Sequence, residues 1–175
     1  SDNPHAAWTT GDPSQFNAEK ITLAPVQHDN PATREAMVRY LAEVGDLDRE
    51  VGEILKLLEE SGKSDNTLLI FSSEQGWALG FAKWTNWDLG VHTGMVARWP
   101  GVISSGTSTP ALVQMADVLP TFIDVAGGDP AKHNLDGISF IDVLREKKSV
   151  HRKYVYGLHN NVPEGNPYPI RSIRG

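Results

Sequence analysis

The chain has 175 residues, long enough for one ordinary domain, and its 39% hydrophobic and 22% charged residues are those of a soluble globular protein. A formal net charge of -6 argues against a nucleic-acid backbone as partner, because polyanion binding needs clustered Lys and Arg. The absence of cysteine excludes disulfides and thiolate metal sites within this stretch, and no run approaches the ~18 apolar residues of a membrane span.

Ser1 is not an initiator Met, no signal-like apolar segment follows it, and the opening reads as a chain entered midway. Residues 1–30 are loop-like, with Pro4, Gly11, Pro13 and Pro25 breaking any period. Asn30-Pro31 then supplies an N-cap and a proline for the first helical position. From Met37 through Tyr40, Leu41, Val44, Leu47, Val51, Ile54, Leu55 and Leu58, apolar residues recur in steps of three and four. That spacing predicts one face of a helix of roughly eight turns, ending at Gly62.

A short apolar run, Thr67-Leu68-Leu69-Ile70-Phe71, predicts a strand covered on both faces. With the preceding helix it suggests an αβ unit of a largely parallel sheet. Gly94 to Trp99 predicts a second strand, stopped by Pro100-Gly101. Asp117 is expected to cap a helix over Val118 to Ala126, ended by Gly127-Gly128. Ile138 to Leu144 reads as another short helix, Tyr154 to Tyr156 as a strand of a smaller sheet, and Asn160 to Gly175 as loop.

Several residues are candidates for chemistry. The first predicted strand runs into Ser72-Ser73-Glu74-Gln75-Gly76. In open α/β sheets ligands bind beyond the carboxyl ends of strands, and a carboxylate beside an amide offers two hard oxygen ligands suited to Ca²⁺ or Mg²⁺. The competing reading is a solvated acidic turn. Lys83 stands among aromatics in Ala82-Lys83-Trp84-Thr85-Asn86-Trp87, where partial desolvation strengthens its pull on a sulfate or phosphate oxygen. Alternatively, its stem simply lies along a tryptophan. Trp84 and Trp87 are open between stacking on a sugar ring and packing in a core. His5, His92 and His159 flank strand ends or restricted backbone and are ligand candidates, although a lone His is more often structural. His28, His133 and His151 receive no role.

The helix Tyr40 to Gly52, the run Asp65 to Gly76, Lys83, Ala97-Arg98-Trp99-Pro100-Gly101, Asp117-Val118-Leu119-Pro120-Thr121 and Asp136-Gly137-Ile138-Ser139 occur in one order. Together they resemble the sulfatase family of the alkaline-phosphatase-like superfamily. Pro4-His5 and the stretch from His151-Arg152 to Ile170-Arg171 look most like bacterial enzymes related to heparan N-sulfatases, which act in glycosaminoglycan degradation.

The resemblance implies an alkaline-phosphatase-like sandwich with a mostly parallel central sheet. Residues 1–101 would be the C-terminal part of the catalytic domain, and 102–175 a remaining helix with a small α+β subdomain. It implies a hydrolase of sulfuric esters or sulfamates on a sulfated sugar. Glu74 and Gln75 match the family's metal ligands, Lys83 its sulfate-contacting Lys, and His5 the His of its Pro-His segment. His92 and His159 would be substrate-binding. It further implies Ca²⁺ (Mg²⁺ in some members), an extracytoplasmic or lysosome-like location, and attack on sulfur by the hydrated aldehyde of a formylglycine. That residue is made within a Cys/Ser-x-Pro-x-Arg motif, which does not occur here; it is expected in an absent N-terminal half, so the piece alone should be inactive.

Three departures stand out. Glu74 and Gln75 are each one methylene longer than the family's usual Asp and Asn, His92 stands where many members have Arg, and Ala7 replaces a second proline. Rival readings are a phosphate- or phosphonate-ester hydrolase of the same superfamily and a non-catalytic module that binds sulfated glycans.

Overall fold

A computed structural model describes residues 10–77, 82–160 and 169–175. The chain divides into two compact units, Ser1–Ser64 and Asp65–Gly175.

The first unit is organised on helix α1, Pro31–Glu60. The Asn30 side chain accepts from the Thr33 N–H at 2.9 Å, satisfying one of the orphan donors of the first turn. Beyond the helix, Gly62 takes a left-handed φ of +68°, and its N–H donates to the Glu59 carbonyl at 2.9 Å. The stretch expected as free loop is strapped along α1. Arg34 donates to the Ala18 carbonyl at 2.7 Å and to the Ile21 carbonyl at 3.2 Å, while pairing twice with Asp29. Glu43 accepts from the N–H groups of Thr10 and Gly11 at 2.8 and 3.1 Å. Met37 and Ala42 are buried, whereas Leu47, Ile54 and Leu57, in the later turns, are exposed.

The second unit opens with strand β1, Leu69–Ser72, followed by the one-turn helix α2, Asp88–Val91, and strand β2, Met95–Arg98. β1 and β2 pair antiparallel, Leu69 opposite Arg98 and Ser72 opposite Met95. The sequence leads to the expectation of a largely parallel sheet, and these two strands are an antiparallel pair. A parallel pair needs a crossover to the opposite end of the sheet, usually through a full helix, whereas this connection, among its described residues, carries a single helical turn and returns to the end it left.

Helices α3, Val118–Val125, and α4, Ile141–Leu144, follow. Asp117 occupies the N-cap position of α3, but its side chain makes no bond to that helix's first turn: the carboxylate turns back to accept from the Gln114 N–H at 2.9 Å. The tail expected as loop contains a strand. β4, Ile170–Arg174, pairs antiparallel with β3, Val155–His159. Its apolar residues, Ile170 and Ile173, do not alternate, so the pairing partner rather than local pattern makes the strand.

The centre of this unit is polar as well as apolar. Phe140, Ile141 and Leu144 are buried, and Asp117 and Thr121 are fully buried among them. Asp117 accepts from Arg152 Nε at 2.8 Å, from a second Arg152 nitrogen, and from the Ile138 N–H at 2.8 Å, with His151 Nε2 at 3.2 Å. Thr121 donates to the Asp117 carbonyl at 2.7 Å and accepts from the Phe140 N–H at 3.0 Å. A Cβ on Gly137 would overlap the Ala116 carbonyl, so this position requires glycine.

Candidate active site

Glu74 and Gln75 directly follow β1, Glu74 exposed and Gln75 half-buried. The chain then turns at Gly76, whose N–H donates to the Gly90 carbonyl at 3.1 Å. No larger residue fits at Gly76, because a Cβ there would overlap the Leu89 carbonyl. Gly90 is equally confined, against the carbonyls of Ala82 and Thr85. The two glycines close a loop on which Lys83 stands. Lys83 N–H donates to the Trp77 carbonyl at 2.9 Å, and its exposed ammonium lies 5.8 Å from the centre of the Trp84 ring. A core role for Trp84 and Trp87 within this chain is excluded, since both are largely exposed.

His92, at the end of α2, is exposed, with Nδ1 3.4 Å from an Asp88 oxygen; this is an ion pair when the ring is protonated. The other Asp88 oxygen pairs with Arg174 of β4. Asn86 donates to the Ile170 carbonyl at 3.1 Å. The β3–β4 hairpin is thereby fastened to the loop carrying Lys83. His159 lies half-buried at the end of β3, opposite Ile170. His5 lies outside the described residues.

The donors after β1 suit a hard cation in kind, a carboxylate beside an amide oxygen, but two side chains supply only part of a six- to eight-oxygen shell. Among the described residues no cluster of three or more His, Asp or Glu joins them.

Asp117, Arg152 and His151 were not singled out as a group by sequence reasoning. Burial pushes the Asp117 carboxyl up, but hydrogen bonds from Arg152 and from the Ile138 and Gln114 N–H groups outweigh it, leaving the group below the usual carboxylate range. The same pairing raises the Arg152 guanidinium. The available signal was the separate appearance of Asp117-Val118-Leu119-Pro120-Thr121, Asp136-Gly137-Ile138-Ser139 and His151-Arg152 as motifs. Their shared location makes them a structural cluster.

Adjacent oxygen donors thus follow the end of β1, and the loop after them presents an exposed ammonium. The chain belongs to the sulfatase family, whose model matches residues 2–128. It is 33% identical over 177 residues to an ulvan-active sulfatase of Formosa agariphila, covering 98% of this chain and 34% of that protein. An N-acetylglucosamine-6-O-sulfatase of Bacteroides thetaiotaomicron is 30% identical over 118 residues, 65% of this chain and 21% of that protein. The solved structure of BT4656 in complex with its substrate D-glucosamine-2-N,6-O-disulfate matches with a TM-score of 0.72 at 27% identity, over 83% of this chain and 32% of that one. The chain thus spans about a third of the length of the first and last of these proteins.

Proposed function

We propose that the whole protein hydrolyses a sulfate ester or sulfamate on a sugar, with heparan-type glycosaminoglycans the first substrates to try. The observation that carries this reading is the closed loop after β1. Gly76 and Gly90 fold it so that the oxygen donors Glu74 and Gln75 and the ammonium of Lys83 belong to one short segment. Family membership and a sulfated glucosamine as the substrate of BT4656 support the choice of sulfated sugar.

In this reading Glu74 and Gln75 hold a Ca²⁺, with Mg²⁺ as the alternative ion. When bound, the ion supplies Lewis-acid stabilisation of negative charge. Lys83 donates to a sulfate oxygen and offsets charge that grows on it, and His5 contacts the sulfate or protonates the leaving group. His92 and His159 contact the rest of the substrate. A formylglycine outside this chain completes the site. In the whole protein we take β1 and β2 into an alkaline-phosphatase-like sandwich, with β2 an antiparallel member of a mostly parallel sheet. We further propose that the protein works outside the cytoplasm; no described helix is long and apolar enough to cross a membrane.

The test uses the full-length protein and a sulfated glucosamine. Lys83→Ala is expected to lower kcat by about 100-fold or more with an unchanged circular-dichroism spectrum. Near-normal kcat in that variant sinks the role of Lys83. Glu74→Ala is expected to lose bound calcium by elemental analysis, and an unchanged metal content excludes Glu74 as a ligand.

A further inference from the structure

Trp84 stands where its backbone does not favour it. Its φ is +64°, the left-handed region that is an outlier for a bulky side chain. The turn explains the angle. Thr85 donates to the Ala82 carbonyl through both its N–H, at 3.2 Å, and its hydroxyl, at 2.8 Å, so Lys83 and Trp84 are the two central residues. A positive φ at the second of these alone is the type II pattern, which takes glycine or asparagine there. Ala82, 1% exposed, anchors the turn from below.

Among the described residues, nothing in the packing returns the cost of placing tryptophan here. The ring is 70% exposed, so it contributes little to a core. Left-handed non-glycine residues persist where the surroundings over-determine them, and they gather at ligand clamps. What the ring does have is a neighbour, the Lys83 ammonium at 5.8 Å from its centre. That distance is the outer limit of a cation–π contact, so an arriving anion can take over the ammonium and still lie beside the indole.

An apolar, electron-rich plane next to a cation suits a ligand that is flat, C–H-lined and anionic at its edge. A pyranose bearing a sulfate group has that form. Its C–H face matches the negative face of the indole, and its sulfate projects sideways within reach of the lysine. We propose that Trp84 is a sugar-stacking residue, holding the pyranose ring whose sulfate Lys83 binds. The left-handed turn is what aims the indole outward. This inference rests on the sulfated-sugar reading and adds to it the residue that recognises the sugar apart from the sulfate.

The experiment measures KM and kcat of the full-length protein with D-glucosamine 6-O-sulfate, and the inhibition constant of inorganic sulfate as a ring-free probe. Trp84→Ala is expected to raise KM for the sulfated sugar about tenfold, with the loss on KM rather than kcat and inhibition by inorganic sulfate unmoved. Trp84→Phe keeps an aromatic face and is expected to recover most of the binding. Trp84→Gly should lose sugar binding while its Tm rises, because glycine accepts the positive φ. An unchanged KM in Trp84→Ala overturns the inference, as does an equal weakening of inorganic sulfate or a lower Tm in Trp84→Gly. Inorganic sulfate inhibition that survives Lys83→Ala also overturns it, because the sulfate of the stacked ring is then not held by Lys83. Wild-type protein that neither binds nor turns over the sulfated sugar removes the sugar reading, and the stacking role with it.

Discussion

At the scale of single residues, Asp117 is the most heavily hydrogen-bonded carboxylate among the described residues of the second unit. Both its oxygens accept hydrogen bonds, from Arg152, Ile138 and Gln114, in a position with no solvent exposure. Removing one partner of a buried ion pair leaves the other charge uncompensated. Asp117→Ala should therefore cost roughly 3–5 kcal/mol of stability, measured by urea denaturation. Arg152→Lys is not expected to rescue geometry, because a single ammonium cannot reproduce two parallel N–H donors. The pH dependence has a definite sign. The folded carboxyl lies below the ordinary aspartate value of 3.8, so its contribution is fully present above that value and is lost as pH falls through the depressed folded value. A Tm series from neutral pH downward should show a steeper acid-side decline in wild type than in Asp117→Asn.

The elements divide into those set locally and those set by partners. Helix α1 is local: the Asn30-Pro31 start, the three-four apolar spacing and the Gly62 stop all lie in consecutive residues, and the structure follows them. Asn30→Ala should cost about 1 kcal/mol of stability, again by urea denaturation. The strands were legible as runs but not as pairs. Nothing in Leu69–Ser72 or Met95–Arg98 encodes direction, which depends on how the connection returns. β4 was missed for the same reason, since its strand character comes from β3 across the hairpin. Within the candidate site, Glu74, Gln75 and Lys83 were visible as residue types at a strand end, whereas the contact between Gly76 and Gly90 joins positions 14 residues apart and left no local trace. Gly76→Ala should disturb the loop by forcing its Cβ against the Leu89 carbonyl. The expected outcome is a lower Tm together with reduced turnover of a sulfated sugar in the full-length protein, more than Gly62→Ala causes in turnover.

At the scale of the whole molecule, large apolar side chains remain exposed in both units. Tyr156, Leu158 and Ile173 are exposed on the β3–β4 hairpin, and Ile54 and Leu57 on α1. Apolar exposure of this kind favours dye binding and association. The 175-residue chain expressed by itself should bind an apolar fluorescent dye, show no sulfatase turnover, and bind less dye when Tyr156, Leu158 and Ile173 are changed to serine. The cluster around Asp117 also has a temporal consequence. The Gln114, Ile138 and Phe140 amide protons go to buried side-chain oxygens of Asp117 and Thr121, outside the ladders of helices and strands. Fraying of helix ends does not release them. Their exchange with deuterium would require the second unit to open as a whole, so these three protons act as slow clocks for its unfolding.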